Sequence, residues 1–329
     1  MPKIQSQLSM VRPECAGGCC GLAGGNFKYL VALVFLSFTA VLPGCDYKVH
    51  ADNALTVMTY NMGDDCLPAP TLEQVVAVIR NNGVPDVLFV QDVPWAITIK
   101  DLADALGFTH FVSGRTKESP HHLGILSKIP LCNAKRIHFE PQPDFPRPAA
   151  LCAEIEVHHK RIVLCSVHLA TLRPVFHRLQ QNGGSFYLSL LHVMYDEAFC
   201  ETPHSRSVEK LLGWIRSKKN DAVIIGGDFN TFQLSKPIRA MNRDFDDALW
   251  PSMDYLAGTK LKAQRALDPS GHSKGLDLPL NPRIDYIFHS ENIACLKAEV
   301  IRQTAGDHYP VRAVLGLPGS KATTNNRSG

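Results

Sequence analysis

Ala222-Val-Ile-Ile-Gly-Gly-Asp-Phe-Asn-Thr231 is the stretch on which the reading of the chain turns. Ala222 to Ile225 is a short, unbroken apolar run, the pattern of a strand buried on both faces. Gly226 and Gly227 then permit a tight backbone turn. Asp228 and Asn230 follow two residues apart at the strand end, so their side chains point the same way if the extended geometry persists. A carboxylate and a carboxamide aimed at one point suit a hard cation and a phosphoryl oxygen. A strand followed by an ordinary Asp/Asn turn would use the same letters, so the flanking sequence has to decide.

Upstream of it, Ser205 to Ser217 carries Val208, Leu211, Leu212 and Ile215 on one helical face. Further upstream, Leu55–Tyr60 and Asp86–Val90 read as strands, ending in Asn61 and in Gln91-Asp92. Between them Thr71 to Asn82 reads as a helix with a Thr71/Gln74 capping box and a stop at Gly83. Ile97 to Leu106 reads as another helix, closed by Gly107. Strand candidates then crowd together at 108–113, 123–127, 135–139, 150–157 and 161–168, the last two joined as a hairpin through His158-His159-Lys160. Residues 171–203 read as irregular, with an apolar patch at Phe186–Met194 that is expected to pack on its own domain rather than serve as a lid. Trp95 and Trp214 read as core residues. Downstream, Trp250 to Pro282 reads as mostly loop; its Lys260, Lys262, Arg265, His272 and Lys274 could meet an anionic substrate but fit a solvated surface better. Arg283–Phe288 and Val311–Leu315 read as strands, with Gly306-Asp-His-Tyr-Pro310 as a turn before the second.

The chain has 329 residues, 45% hydrophobic and 20% charged, which is globular and long enough for one large domain or two small ones. Lys28, the apolar run Tyr29–Leu42 and the sequence Leu42-Pro43-Gly44-Cys45 have the layout of an export signal with a possible lipobox at Cys45. The expected organisation is a leader at 1–45, a domain at 46–317 and a disordered tail at 318–329. The product is then an exported protein, held to a bacterial envelope by its N-terminal lipid or signal anchor, or secreted. Cleavage before Cys45 takes away Lys3, Arg12 and Lys28 together with Glu14, and the formal charge falls from +3 to +1. A body so near neutral argues against tight non-specific duplex binding. Six cysteines remain beyond Cys45, none in zinc-ligand spacing, and are expected as one or two bridges or as buried thiols.

Polar residues therefore stand behind one apolar run after another: Asn61, Asp92, His168, Asp228, Asn230, Asp285, Asp307 and His308. Thr59-Tyr-Asn61, Gln91-Asp92, Ser166-Val-His-Leu169, Gly227-Asp-Phe-Asn230, Arg283-Ile-Asp-Tyr-Ile287 and Gly306-Asp-His308 resemble the ordered motifs of the endonuclease/exonuclease/phosphatase superfamily. That superfamily includes deoxyribonuclease I-like enzymes, bacterial sphingomyelinases and inositol-polyphosphate phosphatases. The resemblance runs from about Leu55 to Leu315. It implies an α/β (α+β) fold: a four-layered, two-sheet β-sandwich flanked by helices, deoxyribonuclease I-like.

The resemblance also implies roles. Asn61, Asp92 and Asp307 would serve a divalent cation, Mg2+ or else Mn2+ or Ca2+. Asp228 would orient or deprotonate the attacking water, and Asn230 would hold a phosphoryl oxygen. His308, steadied by Asp285, and His168 would be a catalytic histidine pair. The partner would be a phosphodiester, either nucleic acid or phospholipid, and the chain a monomer. Two departures stand out: Asp92 where the family usually has Glu, and Gly306 where it usually has Ser. Asp64 and Asp65 could compensate for the shorter Asp92, and His121 and His122 lie where relatives often carry a polar site residue. The alternative is a non-catalytic surface-binding module on the same scaffold.

Overall fold

A computed structural model of the chain describes residues 54–63, 69–114, 123–142, 148–172, 185–250, 252–260 and 282–317, with 175, 178, 179 and 181. The expected leader and tail, Asp64, Asp65, Cys66, His121, His122, Lys262, Arg265, His272 and Lys274 lie outside the described residues.

The strands are β1 (Ala54–Asn61), β2 (Val87–Gln91), β3 (His110–Ser113), β4 (Gly124–Ser127), β5 (Cys132–His138) and β6 (Ala149–Val157). They continue with β7 (Lys160–His168), β8 (Ala222–Asp228), β9 (Asp246–Asp247), β10 (Asp285–His289), β11 (Ala294–Val300) and β12 (Val311–Gly316). The helices are α1 (Leu72–Asn81), α2 (Ile99–Leu106), α3 (Phe186–Phe199), α4 (Pro203–Arg216) and α5 (Lys236–Asp244). The strands form two six-stranded sheets, in the orders β11-β12-β1-β2-β4-β3 and β5-β6-β7-β8-β10-β9. Among the described strands only β1/β2 and β7/β8 pair in parallel. A parallel joint needs a crossover, and the helices supply it: α1 between β1 and β2, α3 and α4 between β7 and β8.

The two sheets bury their facing sides against each other. Val57, Val87, Phe89, Ile125 and Ala313 of the first meet Leu151, Leu164, Ile224 and Ile287 of the second in one cluster. The outer face of the first sheet packs on α1 and α2 through Val75, Ile79, Leu102 and Leu106. The outer face of the second packs on α4 and α5 through Val208, Leu211, Leu212, Ile215, Ile238 and Met241. This is the four-layered sandwich that the motifs imply. The Thr71/Gln74 capping box and the left-handed Gly107 at the end of α2 are as read from sequence. The β6/β7 turn also forms, with His158 and His159 at φ 50 and 61 as a two-residue hairpin loop requires.

Several expectations need correcting. Gly226 and Gly227 make no turn; both lie inside β8. A Cβ on Gly226 would stand 2.4 Å from Phe89 Cδ2 in the opposite sheet, so the glycine makes room for the ring. Phe186–Met194 belongs to a 14-residue helix, not an irregular segment. That helix packs through Ser189, Val193 and Glu197 while Tyr187, Leu188, Leu191, Met194, Tyr195 and Phe199 face outward, so most of its described apolar residues do not pack as expected. Its sequence is apolar on all sides and shows no stripe for a periodicity argument to find. Trp95, read as core, is 53% exposed. Helix α5 and strand β11 were not legible, the one behind a Pro at its second position and the other without alternation. Cys152 and Cys165, directly opposite each other on β6 and β7, form one disulfide, while Cys132 and Cys295 carry free thiols. Among the described residues no helix is long and apolar enough to cross a membrane.

Candidate active site

The topology brings the strand-end residues to one edge. β1, β2, β7 and β8 all end there, and β10 and β12, antiparallel to β8 and β1, begin there. His168, Asp228 and Asp285 stand abreast on three adjacent strands: His168 pairs with Asp228 across β7/β8, and Asp228 with Asp285 across β8/β10. All three side chains are buried.

Contacts extend this rung in both directions. His168 Nε2 lies 3.6 Å from Asp228 Oδ2, and its Nδ1 lies 3.4 Å from Asp92 Oδ1. Asp228 Oδ2 accepts from Asn61 Nδ2 at 2.9 Å and lies 3.8 Å from His308 Nε2. His308 Nδ1 is 2.8 Å from Asp285 Oδ2, and its Nε2 is 3.7 Å from Asp307 Oδ1. An acceptor-only carboxylate at Nδ1 fixes the proton there. Nε2 then accepts from Lys260 Nζ at 2.7 Å, and the same ammonium reaches Asp307 Oδ2 at 3.0 Å.

Local backbone makes these approaches possible. Asp92 and Asn230 are both in left-handed conformation, at φ 44 and 49, which Asp and Asn tolerate better than most residues. The extended geometry expected past β8 therefore ends at Asn230. Its N–H caps Asp228 Oδ1 at 2.7 Å and its Nδ2 donates to Leu169 O at 2.9 Å, so the amide ties the ends of β7 and β8 together. A Cβ on Gly306 would lie 2.3 Å from Met62 O, so glycine lets the Asp307-His308 segment close onto the end of β1. Gln91 stitches the two sheets, donating from Nε2 to Ser166 Oγ at 2.9 Å.

Electrostatics follow from crowding. Burial, and then the Asp285 charge, push the Asp228 carboxyl above its ordinary value, against His308, His168 and Lys260. For His308, burial disfavours the charged ring, Asp285 favours it, Lys260 opposes it and Asp228 supports it; the balance lies above the ordinary value.

The donors fit a hard divalent ion. Asp228, Asp285 and His308 bring ligand atoms within 4.8 Å of one another, all three buried. Asp285 Oδ1 is buried with no hydrogen-bond partner, an acceptor of the kind that a cation or a water satisfies. Asp92 and Asp307 flank this group through the two histidines. Asn61 spends its Nδ2 on Asp228 and its Oδ1 on Gly63 N at 2.9 Å, so its described contacts hold the carboxylate in place.

Two features escaped the sequence reading. Lys260, taken as a surface residue, lies in the site, and no motif marked it. Behind the ends of β7 and β8 sits a buried cluster in a segment read as irregular. Glu197 Oε2 lies 3.0 Å from His204 Nδ1 and accepts from Thr231 Oγ1 at 2.9 Å, and His204 Nε2 donates to Ala170 O at 2.6 Å. Arg206, by contrast, makes an exposed pair with Glu140.

The family model described as the endonuclease/exonuclease/phosphatase family matches residues 58–308. Among solved structures, an endonuclease/exonuclease/phosphatase from Beutenbergia cavernae DSM 12333 aligns at 19% identity over 82% of this chain and 72% of its own, with a TM-score of 0.56. D. rerio TDP2 complexed with single-strand DNA product aligns at 14% identity over 80% and 99%, with a TM-score of 0.56. A mannosyl-6-phosphatase from Bacteroides thetaiotaomicron VPI-5482 aligns at 16% identity over 79% and 99%, with a TM-score of 0.54. At these identities the likeness is one of fold. A search of curated proteins gives no match.

Proposed function

The chain belongs to the endonuclease/exonuclease/phosphatase family, and on that premise we propose that it is an exported, Mg2+-dependent hydrolase that cleaves a phosphodiester by direct attack of water. The observation that carries this reading is the buried rung His168–Asp228–Asp285, with His308 hydrogen-bonded to Asp285 at the same edge. Four carboxylates and two imidazoles at one rim are costly to keep together without a charged ligand, and a binding module has no need of the set.

Asp92 and Asp307 would hold the ion, Asn61 would serve it through the Asp228 carboxylate that it fixes, and Asp228, Asp285 and His308 would offer further ligand atoms. When bound, the cation neutralises charge that develops on the phosphoryl oxygens. Asp228, its carboxylate fixed by Asn61 and the Asn230 N–H, orients the attacking water and draws off its proton. Asp285 holds the His308 ring so that Nε2 faces the reacting group. His168, set between two carboxylates, delivers a proton to the leaving oxygen. Asn230 Nδ2 gives one N–H to Leu169 O, and its second N–H would meet a phosphoryl oxygen.

The leader sequence and Cys45 support export and lipid anchorage, which would put the site beside an envelope where nucleic acid or phospholipid head groups could serve as substrate. The test is a panel of plasmid DNA, RNA, sphingomyelin, inositol phosphates and a chromogenic diester, assayed with Mg2+, Mn2+, Ca2+ or chelator. The expected result is chelator-sensitive hydrolysis of at least one ester, abolished in folded Asp228→Ala and His308→Ala. No turnover across the panel, or wild-type rates in either variant, would overturn the reading.

A further inference from the structure

We propose that Lys260 is a substrate-facing cation of this site and contacts a phosphoryl oxygen of the bound ester. The proposal rests on the phosphoesterase reading and narrows what the site recognises.

Lys260 is not a loose surface lysine. Its backbone forms an isolated antiparallel bridge with His308. Thr259, just before it, accepts from Ile284 N and Asp285 N, both at 3.0 Å, and its carbonyl accepts from Tyr309 N at 2.6 Å. Lys260 N itself donates to Pro282 O at 3.2 Å. The residue is thus laced to the start of β10 on one side and to the His308 segment on the other. The side chain is 21% exposed, and its ammonium rests on His308 Nε2 and Asp307 Oδ2.

The partners say what the ammonium is for. A lysine has three N–H donors, and the described residues take two. One of the two acceptors is a neutral imidazole nitrogen, weaker than an anionic oxygen. A phosphoryl oxygen arriving at the rim would outbid it. The ammonium would then keep Asp307 and exchange His308 for substrate, which also frees Nε2 toward Asp228. The other basic residue beside Asp285 in the chain, Arg283, is committed elsewhere: its Nη2 lies 2.5 and 2.6 Å from the two oxygens of Asp247. Lys260 is therefore the lysine or arginine that the described residues place against the carboxylate rung.

The experiment titrates inorganic phosphate into the full chain by isothermal titration calorimetry, with Mg2+ and again with chelator. The expected result is phosphate binding that weakens roughly tenfold or more in Lys260→Gln, as for loss of a charge-assisted hydrogen bond, and is largely kept in Lys260→Arg. Binding in Lys260→Gln within about twofold of wild type would overturn the proposal. A second readout avoids dependence on folding of the variant: in wild-type protein labelled with 15N-lysine, the Lys260 ammonium resonance should shift as phosphate is added, and a resonance that does not move would overturn the proposal as well. Phosphate binding is read whether or not an ester turns over. An inactive wild type that still binds phosphate through Lys260 would sink the phosphoesterase reading alone.

Discussion

Asp285 Oδ2 and His308 Nδ1 are 2.8 Å apart, and the strand that carries Asp285 is the one whose backbone lies opposite Asp228. One residue therefore sets the histidine's tautomer while the β8/β10 ladder sets where the histidine stands relative to Asp228. Asp285→Asn keeps the shape but can present an N–H to Nδ1, which would turn the proton to Nε2 or rotate the ring. Turnover of the ester found in the panel is expected to fall about 10–100-fold, the usual loss when an orienting partner is removed, with the thermal midpoint little changed. Unchanged kcat in a folded Asp285→Asn would show that the tautomer does not matter.

The buried pair behind the site makes a prediction about pH. Burial alone would raise the Glu197 pKa, but the His204 charge and the hydrogen bonds from His204, Thr231 and Thr202 bring it below its ordinary value. Burial alone would lower that of His204, but Glu197 and the Ala170 carbonyl, with Asp228 further off, bring it above. The lowered Glu197 contributes stability above its unfolded pKa, lost as pH falls through the folded value. The raised His204 contributes stability below its unfolded pKa, lost as pH rises through the folded value. His204→Gln leaves Glu197 buried without its counter-charge and should cost about 3–5 kcal/mol near neutral pH. The gap in thermal midpoint between wild type and variant should narrow as pH climbs past the His204 value, because wild type then loses the same pair. A gap that is constant from pH 6 to alkaline pH would mean that His204 is not charged in the fold.

Much of this arrangement could be read from the letters, and the boundary has physical causes. Asn61, Asp92, His168, Asp228, Asp285, Asp307 and His308 each follow or precede a run of buried strand residues, so pattern and motif order located them. The helices with a polar cap and a one-sided apolar stripe, α1 and α4, were equally plain. Helix α3 was not, because its apolar residues surround it and its cap, Ser185, follows a glycine-rich stretch. Lys260 and the Glu197–His204 pair were illegible for a different reason: each gains its meaning from residues at least 34 positions away, Asp307 and His308 for the lysine, Ala170 and Thr231 for the pair. The strand-end glycines were visible but misread, since only the facing sheet reveals that Gly226 yields to Phe89.

That glycine supplies its own test. A Cβ at Gly226 would press into the Phe89 ring, with contacts at 2.4 and 3.0 Å, and neither residue has room to move in a closed two-sheet core. Gly226→Ala should destabilise the protein by about 1–3 kcal/mol, the range for an overpacked core. Phe89→Leu should cost stability alone yet recover part of the loss when combined with Gly226→Ala, which a double-mutant cycle in thermal or urea unfolding would measure. Strict additivity of the two changes would rule out the steric account.

Asp92 brings backbone and chemistry into conflict. Its φ of 44 is a conformation that Asp and Asn adopt at lower cost than Glu does. The family's more usual glutamate would extend the carboxylate by one methylene toward the ion but strain the turn after β2. Asp92→Glu is therefore expected to lower stability by about 1 kcal/mol while reaching half-maximal activity at an equal or lower Mg2+ concentration. Asp92→Asn preserves the turn and the hydrogen-bonding shape but removes the charge facing His168 Nδ1 at 3.4 Å. Its thermal midpoint should match wild type, and its Mg2+ requirement should rise at least tenfold if the carboxylate holds the ion. Thermal unfolding and a Mg2+ titration of turnover on the same three proteins separate the two effects. Should Asp92→Asn need no more Mg2+ than wild type, the ion is held elsewhere, and the buried group Asp228, Asp285 and His308 becomes its seat.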